Sequence, residues 1–439
     1  MKRYVRPVAL TAAAVICSLT AACSQGPSTG SGPTTVEVWR HSGTPAELRT
    51  LDSQVREFNA VHSGRNGVEV RLRTIPEGDY NDELQAASAA NTLPDVVAID
   101  GPNLASFVYQ RRLRDLTPLL SAAERNRQLP SARTQGTVDG TWYAAASFDS
   151  GLGIYADRRQ LSAAGVTWPT GSKDAWSAAE FQEALVRLSK VDPDGKVLDV
   201  KRNYGVGEWL TYGFSPLVAS AGGELIDPVD LSASGHLDGA ASRRALGVIR
   251  RWAPYIDPNT ADKAFVTRKA ALSWVGHWAY PDYAKALGKD LLLLPLPDLG
   301  NGTKTGQGSW AWAVTAASPS STEAATFLRY LLRDEQVLRM TRANGAVPGT
   351  TTALAKSGLY GRNGPLRLFA EQLLHSCGGQ VPQANCVATP RPDTPGYPLL
   401  SGRFASAVSV ALDGEDPVPG LRAAAAAVDA DLRANQGFR

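Results

Sequence analysis

The chain has 439 residues, 43% of them hydrophobic and 20% charged. This is a globular composition, and the length exceeds what one ordinary core serves, so two lobes are expected. The formal net charge of +3 includes Lys2, Arg3 and Arg6; without them the chain is near neutral, which argues against a nucleic-acid partner.

Taken in order, the chain opens with those three basic residues, followed by an apolar run from Val8 to Leu19 that is too short to span a bilayer as a stable helix. Residues 1–22 read as an export signal. The run ends in Leu19-Thr20-Ala21-Ala22-Cys23, small residues before a cysteine, which resembles a bacterial lipobox with Cys23 as the lipidated first residue. Residues 23–35 are a Gly/Ser/Pro/Thr tether without apolar periodicity. The body is therefore expected on the outer face of the cytoplasmic membrane, held there through lipid on Cys23.

Val36 to Trp39 reads as a strand. Thr44-Pro45-Ala46-Glu47 has the pattern of a capping box, and Leu48, Leu51, Val55 and Phe58 follow on one helical face. Val68, Val70 and Leu72 alternate as a strand, Asp79 opens a short helix, and Pro94 to Ile99 reads as a buried strand. This alternation specifies an α/β lobe with a largely parallel sheet. Thr141 to Tyr155 holds two strand-like pieces broken at Asp149-Ser150-Gly151. Ser177 to Glu180 is a second capping box, with Trp176 and Phe181 placed as a hydrophobic staple. Segment 203–226 is a glycine- and aromatic-rich loop, while 242–252, 322–342 and 417–434 read as helices.

The stretch 271–314 gathers Trp274, Trp278, Trp310 and Trp312 beside two glycine turns, Gly276-His277-Trp278 and Gly308-Ser309-Trp310. Aromatics beside such turns suit flat binding walls as well as core. Places near 145–150, 268 and 312 read as crossings between lobes. On that basis 36–146 with 269–312 should form an N-terminal lobe, and 150–268 with 313–439 a C-terminal lobe. Cys377 and Cys386 can close a short disulfide loop in an oxidising compartment. No metal site is expected, because only His375 lies within ligand spacing of these cysteines and a structural zinc needs four ligands. Gly151 to Ala156 matches a dinucleotide fingerprint in letters only, since it leads into a strand-like run; no cofactor is expected.

The order of VEVWRHSG, LPDVVAIDGPNLASF, DGTWYAAASFDSGLGIYAD, DAWSAAEFQEAL, KAALSWVGHWAY, LLLLPLPDLG, GQGSWAWAVTAAS and NGAVPGT resembles the solute-binding proteins of carbohydrate ABC importers, the family of maltose-binding protein. The resemblance implies a periplasmic-binding-protein-like α/β fold, two lobes around a ligand cleft with several crossings, which closes on its solute by a hinge movement. It also implies a monomeric binder that partners with importer permease subunits and has no chemistry of its own.

By position, the same resemblance puts His41 and Ser42 after the first strand in the cleft, with Asp100 and Asn103 after the third. It adds Asp149 and Ser150 at the first crossing, then Glu208, Trp209 and Tyr212. The two glycine turns contribute Gly276, His277, Trp278, Gly308, Ser309 and Trp310, and Tyr397 with Arg403 come from the C-terminal region. These residue types suit a carbohydrate: flat apolar walls for C–H faces, and charged or amide groups for hydroxyls. The three carboxylates suit a hydroxyl-rich or cationic solute, such as an amino sugar or small oligosaccharide. The alternatives are an exported glycoside hydrolase working through two of Asp100, Asp149 and Glu208, and a lipoprotein that binds a non-sugar solute.

Overall fold

The computed structural model describes residues 32–227, 229–378 and 382–438. The export signal, Cys23 and most of the tether lie outside the described residues. Two five-stranded sheets each organise a core. The first runs, edge to edge, Val68–Ile75, Thr34–His41, Val96–Asp100, Trp310–Val314 and Ala144–Ala145. Its first three strands are parallel, and Trp310–Val314 is antiparallel to both neighbours. Val96–Asp100 is buried at every position, as a strand covered on both faces requires. The second sheet runs Ile256–Asp257, Leu198–Asp199, Leu272–Gly276, Leu152–Asp157 and Leu291–Leu294.

Local chemistry explains the helices that cover the sheets. Thr44 accepts a hydrogen bond from the Glu47 amide at 3.2 Å and starts helix Pro45–His62. The reciprocal half of that box is missing, because Glu47 turns to His41 instead. Ser177 and Glu180 form both halves of theirs at the head of helix Ala178–Val191, and Trp176 and Phe181 pack with ring centroids 5.8 Å apart. Cys377 and Cys386 are disulfide-bonded, with Cα atoms 5.0 Å apart.

The expected lobe boundaries need correction. Leu272–Gly276 and Leu291–Leu294 both pair with Leu152–Asp157, so 269–296 belongs to the second sheet and not to the N-terminal lobe. Helices Ser321–Leu331 and Asp334–Asn344 pack mainly on the first lobe, against Thr34–His41 and Pro45–His62. The apolar runs marked the strands correctly but carry no record of which strands pair, and long-range pairing sets the lobes. Segment 203–226 is not a loop either. Its middle is helix Glu208–Ser220, which contains Pro216 and is buried along most of its length.

Among the described residues, three stretches connect the lobes, near 146–151, 297–309 and 389–396. They are joined to one another. Thr305–Gly306 pairs with Ala388–Thr389, Gly151 bridges to Gln307, and Thr305 Oγ1 accepts from the Leu152 amide at 2.7 Å. No crossing occurs at 268.

Candidate functional site

The centre of the lobe boundary is a residue that sequence reasoning missed. Arg391, on the third crossing, has a buried side chain and meets carboxylates from both lobes. Its Nη1 and Nη2 donate to Asp100 at 2.8 and 2.7 Å, and Nη1 also donates to Glu208 at 2.5 Å. Asp100 ends a strand of the first sheet, paired with Trp310. Glu208 is the first residue of helix Glu208–Ser220 in the second lobe. Tyr397 Oη and Ser401 Oγ donate to Glu208 at 2.5 and 2.6 Å. Burial works against the Arg391 charge, but Asp100 and Glu208 outweigh it and hold the guanidinium well above its ordinary pKa. Burial pushes Glu208 up, and Arg391 opposes that shift.

Aromatic rings lie beside this cluster. The Arg391 guanidinium lies over Tyr212, 4.8 Å from the ring centroid. Ring centroids run 6.5 Å from Tyr212 to Trp278, 6.0 Å from Trp278 to Trp209, and 5.4 Å from Trp209 to Tyr204. Trp209 and Trp278 are only partly buried, and Trp278 follows His277, whose Nδ1 is 3.1 Å from the Asn344 carbonyl of the first lobe, so these rings lie beside a contact between the lobes. Their indole N–H groups donate to the Val200 carbonyl and the Tyr204 hydroxyl, each at 3.1 Å. Gly276 lets Trp278 fold back on the chain: a Cβ there would lie 2.1 Å from the indole ring.

Asp149 is buried at the first crossing and accepts from the amides of Ser150 at 2.8 Å and Gly308 at 3.3 Å. Burial raises its pKa, opposed by the Ser131 hydroxyl and these two amides. Gly308 has φ of +105°, and a Cβ there would meet Gln135 at 2.7 Å. Gln135 clamps Ser309, accepting from its amide at 2.8 Å and donating to its carbonyl.

Other expected residues form a separate group. His41 stacks on Trp310, with centroids 4.0 Å apart. Its Nδ1 is 2.6 Å from Glu77 and its Nε2 is 3.5 Å from Glu47. Ser42 Oγ accepts from the Glu77 amide at 3.0 Å. Burial lowers the His41 pKa, but the charges of Glu77 and Glu47 outweigh it and raise it overall. Asn103 is buried in the turn after Asp100. His277 is buried with Nδ1 3.1 Å from the Asn344 carbonyl of the first lobe, and burial lowers its pKa to about 4. The neutral ring therefore donates from Nδ1 to that carbonyl.

Arg403 does not join the site. It is exposed on helix Tyr397–Leu412, while Tyr397 and Ser401, one turn apart, face Glu208. Two residues beyond Ser401 is about 200° round a helix, so Arg403 faces away. The available signal for Arg391 was a lone arginine among prolines, Pro390-Arg391-Pro392, with Asp393 the other charged residue of the crossing.

A cavity of about 270 Å³ adjoins Arg391 and Gly308. It takes walls from both lobes, Gly101, Pro102 and Gln135 on one side and Ser215, Val218 and Ala219 on the other. The aromatic rings do not line it, so the aromatic wall, with its partly exposed indoles and charged base, is the better candidate site. Among the described residues no helix is long and apolar enough to cross a membrane, and no group of three His, Cys, Asp or Glu side chains is placed for a metal ion.

Comparison with known proteins decides the family. A model of bacterial extracellular solute-binding proteins matches residues 53–362. The chain belongs to the bacterial extracellular solute-binding protein family. A relative from Streptomyces antibioticus, an uncharacterized lipoprotein encoded in the oleD 5′ region, is 26% identical over 371 residues, which is 80% of this chain and 78% of the relative. Among solved structures, the cyclic alpha-maltosyl-1,6-maltose binding protein of Arthrobacter globiformis superposes with a TM-score of 0.72 at 22% identity, covering 92% of this chain and 100% of that one. The GacH receptor of Streptomyces glaucescens, solved unliganded and with acarbose, gives 0.74 at 21%, covering 92% and 99%. The solute-binding fold of two α/β lobes is thus that of maltose-binding-protein-like relatives.

Proposed function

We propose that this family member is a lipid-anchored receptor. It captures a carbohydrate outside the cytoplasmic membrane and delivers it to the permease subunits of an ABC importer. The observation that carries this reading is the partly exposed aromatic wall of Tyr204, Trp209 and Trp278 at the lobe boundary, with Arg391, Asp100 and Glu208 at its base. Indole faces suit sugar C–H surfaces, and the charged groups suit hydroxyls. Relatives of the same fold that bind a cyclic maltosyl-maltose and acarbose support the solute class. Three carboxylates, Asp100, Asp149 and Glu208, against one arginine suit a small oligosaccharide or an amino sugar. The hydrolase alternative is disfavoured, because Arg391 engages both oxygens of Asp100. Lipid on Cys23 is supported by the lipobox-like sequence and the lipoprotein relative.

Titration calorimetry against mono- and oligosaccharides, amino sugars, amino acids and peptides tests the solute class. Saturable heat with at least one carbohydrate is expected. Tight binding of amino acids or peptides with none to carbohydrates would sink the reading.

A further inference from the structure

Arg391 connects the lobes by its own ion pairs. One carboxylate partner, Asp100, belongs to the first lobe, and the other, Glu208, to the second. The side chains of Arg391 and Asp100 are 4% and 8% exposed, so bulk salt screens their pairing little. The two grips differ. Asp100 is held by two hydrogen bonds through the guanidinium fork, whereas Glu208 receives one. Glu208 also accepts from Tyr397 and Ser401 within its own lobe, so it keeps partners if the arginine leaves. Asp100 has no such reserve among its hydrogen bonds from side chains of the described residues.

We propose that Arg391 is an inter-lobe tie that sets how far the lobes part, and that opening breaks its bond to Glu208 while the bidentate pair with Asp100 persists. Arg391 then travels with the first lobe, and Glu208 remains solvated by the hydroxyls of Tyr397 and Ser401. The alternative, release of Asp100, would leave a strand-end carboxylate without its two charged hydrogen bonds. Arg391 is thus a positioning residue that acts through lobe spacing, whatever the solute.

The test measures inter-lobe distance in the absence of added solute. Spin labels on encoded non-thiol amino acids at exposed Val61 and Val191, one on each lobe, leave the disulfide untouched. Pulsed dipolar spectroscopy should give longer and broader distances for Glu208→Gln and Arg391→Met than for the unsubstituted chain. Asp100→Asn should lengthen them as much as Arg391→Met. Far-UV circular dichroism certifies the fold, and if Arg391→Met does not fold, Glu208→Gln decides. Distances unchanged in folded Glu208→Gln would overturn the proposal. Failure of the unsubstituted chain to bind any carbohydrate, alongside lengthened distances in the variants, would instead sink the functional reading and leave the tie standing.

Discussion

The Trp278 indole donates its ring N–H to the hydroxyl of Tyr204, 3.1 Å away, and this bond orients the outer half of the aromatic wall. Trp278→Ala should weaken carbohydrate binding by ~1–3 kcal/mol while leaving the thermal midpoint nearly unchanged. Tyr204→Phe keeps the ring and removes only the acceptor, so a loss of about 0.5–1.5 kcal/mol is expected. Calorimetry on the two single variants and the double variant checks the coupling. Full additivity would show that Tyr204 does not act through Trp278.

Gly276→Ala should act on the same ring from behind. The added methyl would overlap the indole at 2.1 Å, and backbone φ is −92°, so the backbone itself tolerates alanine. The ring must swing away. Near-UV circular dichroism should change and affinity should fall toward that of Trp278→Ala, with far-UV signal retained. Unchanged affinity would mean that the ring position does not matter to the solute.

Acid should loosen the protein through His277. Its pKa is lowered from 6.5 to about 4 by burial, so between these values the unfolded chain binds the proton and the folded chain does not. Stability from this group is present above pH 6.5 and is lost as pH falls toward 4. The shift corresponds to about 3 kcal/mol at most. Denaturant titrations from pH 7.5 to 4.5 should show a smaller acid loss in His277→Gln than in the parent. Parallel curves would refute the assignment.

Reduction of the Cys377–Cys386 disulfide should lower stability modestly. The sequence separation is 9, and the chain-entropy estimate for such a loop is roughly 2–3 kcal/mol. The paired substitution Cys377→Ser with Cys386→Ser should reproduce the effect of reductant on the unfolding midpoint. Added reductant should then do nothing further.

The elements were largely legible in the sequence, and their assembly was not. Local signals held where the physics is local: Ser177 caps its helix, Trp176 meets Phe181, and Val96–Asp100 is buried throughout. Glycine and aromatic richness concealed helix Glu208–Ser220, because its burial and not its intrinsic propensity keeps it helical. The lobe assignment of 269–296 failed because Leu272–Gly276 finds its partner more than a hundred residues upstream. In the candidate site, Asp100, Glu208, Tyr212 and Tyr397, all among the residues expected from the sequence, meet around Arg391. Arg391 was invisible because an arginine between prolines carries no periodic signal, and only the folded crossing shows what it reaches.

The sheet order has a consequence for synthesis. Trp310–Val314 sits between Val96–Asp100 and Ala144–Ala145, so the sheet that begins with the first strand stays open until residue 314 has emerged. The second sheet has all its strands by Leu294. A growing chain therefore completes its second sheet before its first, and carries the unpaired edge of Val96–Asp100 for some two hundred residues. Truncation after the second sheet should accordingly yield a sticky fragment, whose exposed edge seeks a strand from another chain in place of its own.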